Sequence, residues 1–226
     1  MQDKEVEDII KQRFDKCCGI FPEEIRIADF RVRTILNFLG ELKDKKVLDL
    51  GCGKGRLAKI LIGKGASVTG VDLSEKLLEV ASRNVIGANF IVGSATELPL
   101  ADDSFDFIIC VEVLEHVPNY KKAVEEMMRV LKKNGKIIII DKNIASVHRR
   151  YFLPYVIIKK CLEIFGRWFY PNNFGFKEKW FFVWEITNIL KSHCQKTERE
   201  YLGGHNGKAF TSLLFLNLFI AWKGIK

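Results

Sequence analysis

The stretch Val47-Leu48-Asp49-Leu50-Gly51-Cys52-Gly53-Lys54-Gly55 decides the fold of this chain. A short run of valine and leucine predicts a strand over Lys46–Leu50, and three glycines at alternate positions follow it. Glycines at the carboxyl end of a strand let the backbone approach a ligand closely. The stretch therefore predicts a strand, a loop and a helix, with a ligand site at the loop.

The spacing of the glycines separates this loop from two phosphate-binding patterns. The dinucleotide pattern GxGxxG needs a third glycine at the position of Arg56, and the Walker pattern GxxxxGK[ST] is absent. A GxGxG loop that follows an aspartate favours a ligand without phosphates. A purely structural turn is the alternative.

Strand-like and helix-like segments alternate on both sides of the loop. Further strands are predicted at Ser67–Asp72, Asn89–Val92, 106–111 and 136–141. Helices are predicted at about 55–63, 74–85 and 119–133, with Ser74 and Asn119 as N-caps and Asn134-Gly135 as the end of the last one. This alternation predicts a doubly wound α/β fold with a mainly parallel sheet.

The two ends of the chain complete the predicted architecture. Helices are expected at 3–17, 23–40 and about 179–192, and strands at about 195–202 and 211–222 form an antiparallel hairpin around the glycine-rich turn 203–207. We expect a seven-stranded sheet in one domain over 1–226. Its parts are N-terminal helices (1–40), a ligand-binding core (46–141), a basic aromatic lid (142–180), and a final helix and hairpin (181–226).

Asp72 ends the second predicted strand, nineteen positions after Gly53. A carboxylate at this place can accept hydrogen bonds from both hydroxyls of a ribose. The alternative is a helix cap, for which Ser74 is better placed. Asp72 is therefore a candidate ligand-binding residue.

The positive charge of the chain is local. The net charge is +8, from 36 Lys and Arg against 28 Asp and Glu, and 142–180 alone contributes eight basic and two acidic residues. Residues 151–184 also hold 13 of the 26 aromatic residues. This segment is interpreted as a cap over a long apolar acceptor, a surface for an anionic membrane, an RNA-binding surface, or a lid packed on the domain. RNA is disfavoured because 153–158 carries no charge.

Cysteine and histidine usage bears on the redox compartment and on metals. The six cysteines form no CxxC pair, which favours a reducing cytoplasm, and the four histidines suggest no metal site. The first ten residues are charged and lack the apolar stretch of a signal peptide. We expect a cytoplasmic protein whose membrane contact is at most peripheral; its oligomeric state is not predicted.

Four motifs carry a family resemblance: VLDLGCGKG, VTGVDLS, GSATELPLADDSFDFI and VEVLEHV, within about 46–141. With them the chain resembles a class I S-adenosylmethionine-dependent methyltransferase of the quinone-biosynthesis and small-molecule branch, methyltransferase type 11. The resemblance implies the cofactor S-adenosylmethionine and methyl transfer to O, N or C of an apolar small molecule or lipid-like acceptor. An RNA methyltransferase and a non-catalytic protein that binds the cofactor are the alternatives.

The resemblance also implies which residues contact the cofactor: Asp49, Gly51, Cys52 and Gly53 at its methionine part, Asp72 at the ribose, Leu73, Ser94 and Ala95 at the adenine, and Val111 and Glu112 near the sulfur. Many relatives have Asp at the position of Ser94, where it accepts a hydrogen bond from the adenine amino group. A serine accepts with less charge, so this position departs from the pattern.

Acceptor binding is expected in the basic segment, at Arg149, Arg150, Tyr151 and Tyr155. His116 and His148 are candidates for a general base, because the pKa of histidine lies near neutrality. The motif around His116 recurs among relatives with different chemistry, and this favours a structural role.

Overall fold

The computed structural model of the chain describes residues 3–145, 147–148, 153–154, 178–202 and 219–226, with only the backbone described at 147–148 and 153–154. Its strands are β1 (Lys46–Leu50), β2 (Ser67–Asp72), β3 (Asn89–Val92), β4 (Phe105–Val111), β5 (Leu131–Lys142), β6 (Val147–His148), β7 (Leu153–Pro154), β8 (Lys196–Leu202) and β9 (Phe219–Ile225). Seven of them form one sheet in the order β3-β2-β1-β4-β5-β9-β8, and β6 pairs with β7.

The sheet is parallel from β3 to β5, and β9 runs antiparallel to both β5 and β8. The predicted fold class, with its antiparallel C-terminal strands, is confirmed. The run Ile137–Ile140 has no exposed surface. Alternate residues of this run belong to two hydrophobic clusters, one on each face of the sheet. This is the arrangement expected for a strand buried on both faces.

Helices cover both faces of the sheet. They are α1 (Asp3–Cys17), α2 (Phe30–Leu39), α3 (Arg56–Ile62), α4 (Glu75–Asn84), α5 (Tyr120–Val130) and α6 (Val183–His193). Both predicted N-caps are confirmed: the side chains of Ser74 and Asn119 accept hydrogen bonds from the backbone of α4 and α5. Within the described ranges, none of the helices is long and apolar enough to cross a membrane.

The predicted helix over 23–40 was wrong at its start, because α2 begins at Phe30. The Asp29 carboxylate accepts a hydrogen bond from the Arg31 backbone at 2.9 Å and so caps the helix. The segment before Asp29 runs irregularly, although Ile25, Ala28 and Val32 are spaced as on a helix face. Ile25 of this segment lines a cavity instead of a helix interface.

The end of α5 was also predicted wrongly. The helix ends at Val130, and β5 begins directly at Leu131, which pairs with Phe105 of β4. Val130 and Leu131 have no exposed surface, so burial against β4 outweighs their helical spacing. Asn134 adopts a positive φ of 62° inside the irregular start of β5 and does not end the helix.

The final helix begins at Val183, later than predicted, because the preceding residues are tied to the end of β5. The Phe181 backbone donates to the Lys142 carbonyl at 3.0 Å, and the Ile144 backbone donates to the Phe181 carbonyl at 3.1 Å. Strand β9 continues to Ile225, beyond its predicted end. The turn 203–207 and residues 155–177 lie outside the described residues.

Candidate functional site

A cavity of about 460 Å³ lies at the carboxyl ends of β1, β2 and β4, and its volume falls in the usual range for small-molecule sites. All ten residues expected to contact the cofactor line it: Asp49, Gly51, Cys52, Gly53, Asp72, Leu73, Ser94, Ala95, Val111 and Glu112. The fold therefore brings separate motifs to one wall, as expected for the carboxyl edge of a doubly wound sheet.

The glycines of the loop after β1 serve two different purposes. Gly51 and Gly53 have positive φ values of 69° and 52°. A Cβ at Gly51 would lie 2.1 Å from Cγ2 of Val113, so this glycine is required by packing. A Cβ at Gly53 would meet no described atom within 4 Å, because the loop borders open space there. Gly53 thus leaves room for a ligand against the backbone.

The Asp72 carboxylate joins the loop to the end of β2. Its Oδ2 accepts from the Gly53 backbone at 2.8 Å, and its Oδ1 accepts from the Ser74 backbone at 2.9 Å. Burial raises the pKa of Asp72, and these backbone donors offset only part of the effect. An ionised carboxylate has about four lone-pair sites, so acceptor capacity remains for a ligand.

Asp49, next to the carboxyl end of β1, is a buried carboxylate with an unused oxygen. It is 4% exposed, and no described residue donates a hydrogen bond to its Oδ2. Burial and then the nearby charge of Asp72 raise the pKa of Asp49 to about 7, while Arg56 acts in the opposite direction. A buried carboxylate oxygen without a hydrogen-bond donor is costly unless a cationic ligand supplies one.

Two arginines line the cavity and differ in their partners. Arg31 donates to Asp29 at 2.8 Å and also to Glu112, which has a positive φ of 55° and whose backbone donates to the Ile140 carbonyl. No motif or spacing predicted the contact between Arg31 and Glu112. No described residue forms a hydrogen bond or ion pair with the Arg56 guanidinium, and burial together with Arg31 lowers its pKa. Arg56 therefore presents an anion-binding group at the cavity.

His116 borders the cavity as part of a buried ionic group. Its Nε2 lies 3.3 Å from Oε1 of Glu115, and its ring packs edge-on against Phe14 with centroids 5.1 Å apart. The same Glu115 oxygen accepts from Nζ of Lys142 at 2.6 Å. Burial raises the pKa of Glu115, but His116 and Lys142 more than offset this and hold it below its usual value.

The ionic group extends to α1 and to Glu178 near the end of the basic segment. Nζ of Lys142 lies 3.6 Å from Glu178, and Glu178 forms a buried ion pair with Arg13 of α1 at 3.2 Å. Breaking such a pair is costly, because the remaining charge stays buried. The first helix is thereby fixed beside the cavity. In the described part of the chain, no cluster of three His, Cys, Asp or Glu could hold a metal ion.

An apolar wall of the cavity comes from the N-terminal segment, which the sequence analysis did not assign to the site. It includes Phe14, Phe21, Ile25, Val32 and Ile35. Lys54 of the glycine loop fixes this wall, since its buried Nζ donates to the Phe21 carbonyl at 2.8 Å. The spacing of Ile10 and Phe14 on one face of α1 was the available signal.

Among the described residues of the basic segment 142–180, Lys142 lines the cavity. Arg149, Arg150, Tyr151 and Tyr155 lie outside the described residues. His148 forms a backbone pair with Leu153, but its side chain is likewise outside the description. These residues therefore stay predictions.

A family model described as the methyltransferase domain matches residues 48–139, which include the glycine loop, Asp72 and Glu112. These residues form a class I methyltransferase domain. The chain is 38% identical over 135 residues to a ubiquinone biosynthesis O-methyltransferase of Idiomarina loihiensis, covering 57% of this chain and 56% of that protein. It is 32% identical over 145 residues to a demethylmenaquinone methyltransferase of Staphylococcus aureus, covering 61% and 59%. The chain thus spans little more than half of these relatives.

Solved structures share the fold of this chain. A Thermotoga maritima protein described as a SAM-dependent methyltransferase, possible histamine N-methyltransferase, superposes with a TM-score of 0.66 at 21% identity, covering 98% of this chain and 99% of its own. A SAM-dependent methyltransferase of Mesorhizobium loti gives a TM-score of 0.68 at 18% identity, covering 87% and 98%.

S-adenosylmethionine is the cofactor that this family implies. The residues at the site fit it in three respects. The unused oxygen of buried Asp49 suits a cationic group, the Asp72 carboxylate retains acceptor capacity for hydroxyls, and Gly53 borders open space. The GxGxG interpretation as a loop for a ligand without phosphates agrees with this cofactor.

Proposed function

We propose that this protein transfers the methyl group of S-adenosylmethionine to an O, N or C atom of an apolar small-molecule or lipid-like acceptor. A single observation carries the proposal: one cavity joins the polar glycine-loop wall to the apolar wall of α1 and α2. The two relatives named for ubiquinone and menaquinone methylation support a quinol ring with an apolar chain as the first acceptor class to test.

Three charged residues are proposed to hold the cofactor. Asp72 would accept hydrogen bonds from the ribose hydroxyls, Asp49 would face the ammonium group, and Arg56 would bind the carboxylate. Leu73 and Ala95 would pack on the adenine. When bound, S-adenosylmethionine supplies a methyl group that its positive sulfur has already activated.

The remaining task of this chain is to orient the acceptor and to exclude water. The apolar side chains from Phe14 to Ile35 provide a dry wall beside the polar loop. Orientation of two reactants can contribute about 7–11 kcal/mol to lowering a barrier. We further propose that 142–180 completes this cover, with Arg149 and Arg150 contacting an anionic group of the acceptor or of a membrane surface.

His116 has two possible roles in this proposal. As a base it would take a proton from an acceptor hydroxyl, and Glu115 at 3.3 Å would stabilise the resulting imidazolium. As a structural residue it would hold α1 through Phe14. Its burial between Glu115 and Phe14 favours the structural role.

Methyl-labelled S-adenosylmethionine tests the proposal when it is incubated with the protein and, in parallel, a demethylated quinol in detergent, a cell lipid extract and total RNA. We expect label in the quinol or lipid fraction. At a cofactor concentration below saturation, Asp49→Asn should reduce this label, and exposed Glu198→Gln on β8 should not. Label in the RNA fraction would show that RNA, and not an apolar molecule, is the acceptor. Cofactor binding without any transfer would indicate a protein that binds the cofactor but does not catalyse methyl transfer.

A further inference from the structure

Glu7 of α1 reaches the turn after β3, which was expected to border the adenine. Its Oε1 accepts hydrogen bonds from Oγ of Ser94 at 2.6 Å and from Oγ1 of Thr96 at 2.9 Å. These contacts join positions 87 and 89 residues apart in the sequence. The residues around Ser94 therefore form this part of the site together with Glu7, which is distant in the sequence.

The hydrogen bonds around Glu7 determine which group in this corner of the cavity can accept a hydrogen bond from a ligand. The Ser94 hydroxyl donates to Glu7, its oxygen accepts from the Thr96 backbone at 3.1 Å, and it also lies 2.8 Å from Oγ1 of Thr96. The hydrogen-bonding capacity of Ser94 is thus used within this turn and by Glu7. Oε2 of Glu7, in contrast, receives no hydrogen bond from the described residues. The strongest acceptor here is the Glu7 carboxylate rather than the serine hydroxyl.

The surroundings of Glu7 suit a flat ligand with an amino group. Glu7, Gly93, Ser94 and Ala95 line the same cavity, together with the apolar side chains of Ile10 and Leu73. An apolar slot with one carboxylate at its edge selects an N–H donor at the edge of an aromatic ring.

We propose that Glu7 accepts a hydrogen bond from the 6-amino group of the cofactor's adenine. It would thereby replace the Asp that many relatives carry at the position of Ser94. The inference rests on the proposed function, since it concerns the same cofactor. It assigns adenine selection to a side chain of α1, which lies outside the matched family region of 48–139.

The test compares two ligands by titration calorimetry: S-adenosylhomocysteine and S-inosylhomocysteine, in which a carbonyl oxygen replaces the 6-amino group. The protein should prefer the adenine ligand by about ten- to a hundredfold, the range for a hydrogen bond to a charged group. Glu7→Gln should reduce this preference to within about threefold, because an amide can donate to the carbonyl oxygen. Exposed Asp8→Asn, one residue further along the same helix, should leave the preference unchanged.

A rescue variant separates recognition from a merely structural role of Glu7. Ser94→Asp should restore the preference for adenine in the Glu7→Gln protein. When Glu7 is kept, Ser94→Asp should weaken the binding of both ligands, since two carboxylates would face each other. If Glu7→Gln weakens the binding of both ligands equally and keeps the ratio of their affinities, Glu7 only anchors α1 and the inference is wrong. If the unaltered protein binds neither ligand, the proposed function fails as well.

Discussion

The backbone N–H of Gly53 donates to Oδ2 of Asp72 across 2.8 Å, so the loop after β1 and the end of β2 form one hydrogen-bonded unit. The expected ligand-binding carboxylate is thus also a structural tie between two motifs. A substitution at Asp72 should act on the ligand and on the loop together.

Asp72→Ala should weaken the binding of S-adenosylhomocysteine by at least about 1.5–3 kcal/mol, the contribution of one charge-assisted hydrogen bond. It should also lower the free energy of unfolding by about 1–3 kcal/mol, because the Gly53 and Ser74 amides lose their acceptor. Calorimetry and denaturant titration measure the two effects. Unchanged affinity would show that Asp72 does not hold the ribose.

Cofactor binding should strengthen as the pH rises through about 7, the value to which burial raises the pKa of Asp49. Only the ionised carboxylate attracts an ammonium group, so affinity at pH 6 should be about tenfold weaker than at pH 8. Asp49→Asn should bind more weakly and should lose most of this pH dependence. A profile that Asp49→Asn leaves unaltered would assign the titration to another group, such as Asp72.

The stability of the ligand-free protein should change in the opposite direction. Folded Asp49 keeps its proton up to about pH 7, whereas in the unfolded chain it ionises near 3.8. The folded state therefore binds more protons in this window, and the free energy of unfolding falls as pH rises. Above pH 7, Asp49→Asn should be more stable than the unaltered protein by about 1–4 kcal/mol. Equal stabilities in a thermal denaturation series would contradict this.

Arg56→Met should weaken the binding of S-adenosylhomocysteine by about ten- to a hundredfold, because the ligand carboxylate would lose its contact with the guanidinium. The Arg56 guanidinium has no hydrogen bond or ion pair to a described residue. Binding of methylthioadenosine, which lacks the amino-acid part, should hardly change. Exposed Lys59→Met on the same helix is the matched control. Equal losses for both ligands would place Arg56 away from the carboxylate.

His116→Ala should retain more than a tenth of the turnover, whereas removal of a general base usually costs about 10²–10⁴-fold. The reason is its buried position between Glu115 and Phe14, which favours a structural role. Turnover is compared at saturating cofactor, with cofactor affinity measured alongside. A loss above a thousandfold at intact affinity would identify His116 as the base.

The strands could be predicted because their signals are local. The bounds of β1, β2 and β3 agree with the prediction, since each is a short apolar run between polar or glycine residues. The start of α2 and the end of α5 could not be predicted from spacing alone. Asp29 caps one, and burial of Leu131 against β4 ends the other.

The site was predictable where one motif holds it and hidden where distant segments meet. The glycine loop and Asp72 carry their function in local sequence. Glu7 acquires its place only when α1 lies across the end of β3, through its contact with Ser94. Phe21 likewise joins the site through Lys54. Such contacts depend on tertiary packing, which periodicity does not encode.

The most direct test of this account is titration calorimetry of the purified protein with S-adenosylhomocysteine, and with NAD in parallel. The account predicts micromolar binding of S-adenosylhomocysteine and no binding of NAD, since Arg56 stands where a dinucleotide loop has its third glycine. Binding of NAD without binding of S-adenosylhomocysteine would contradict it.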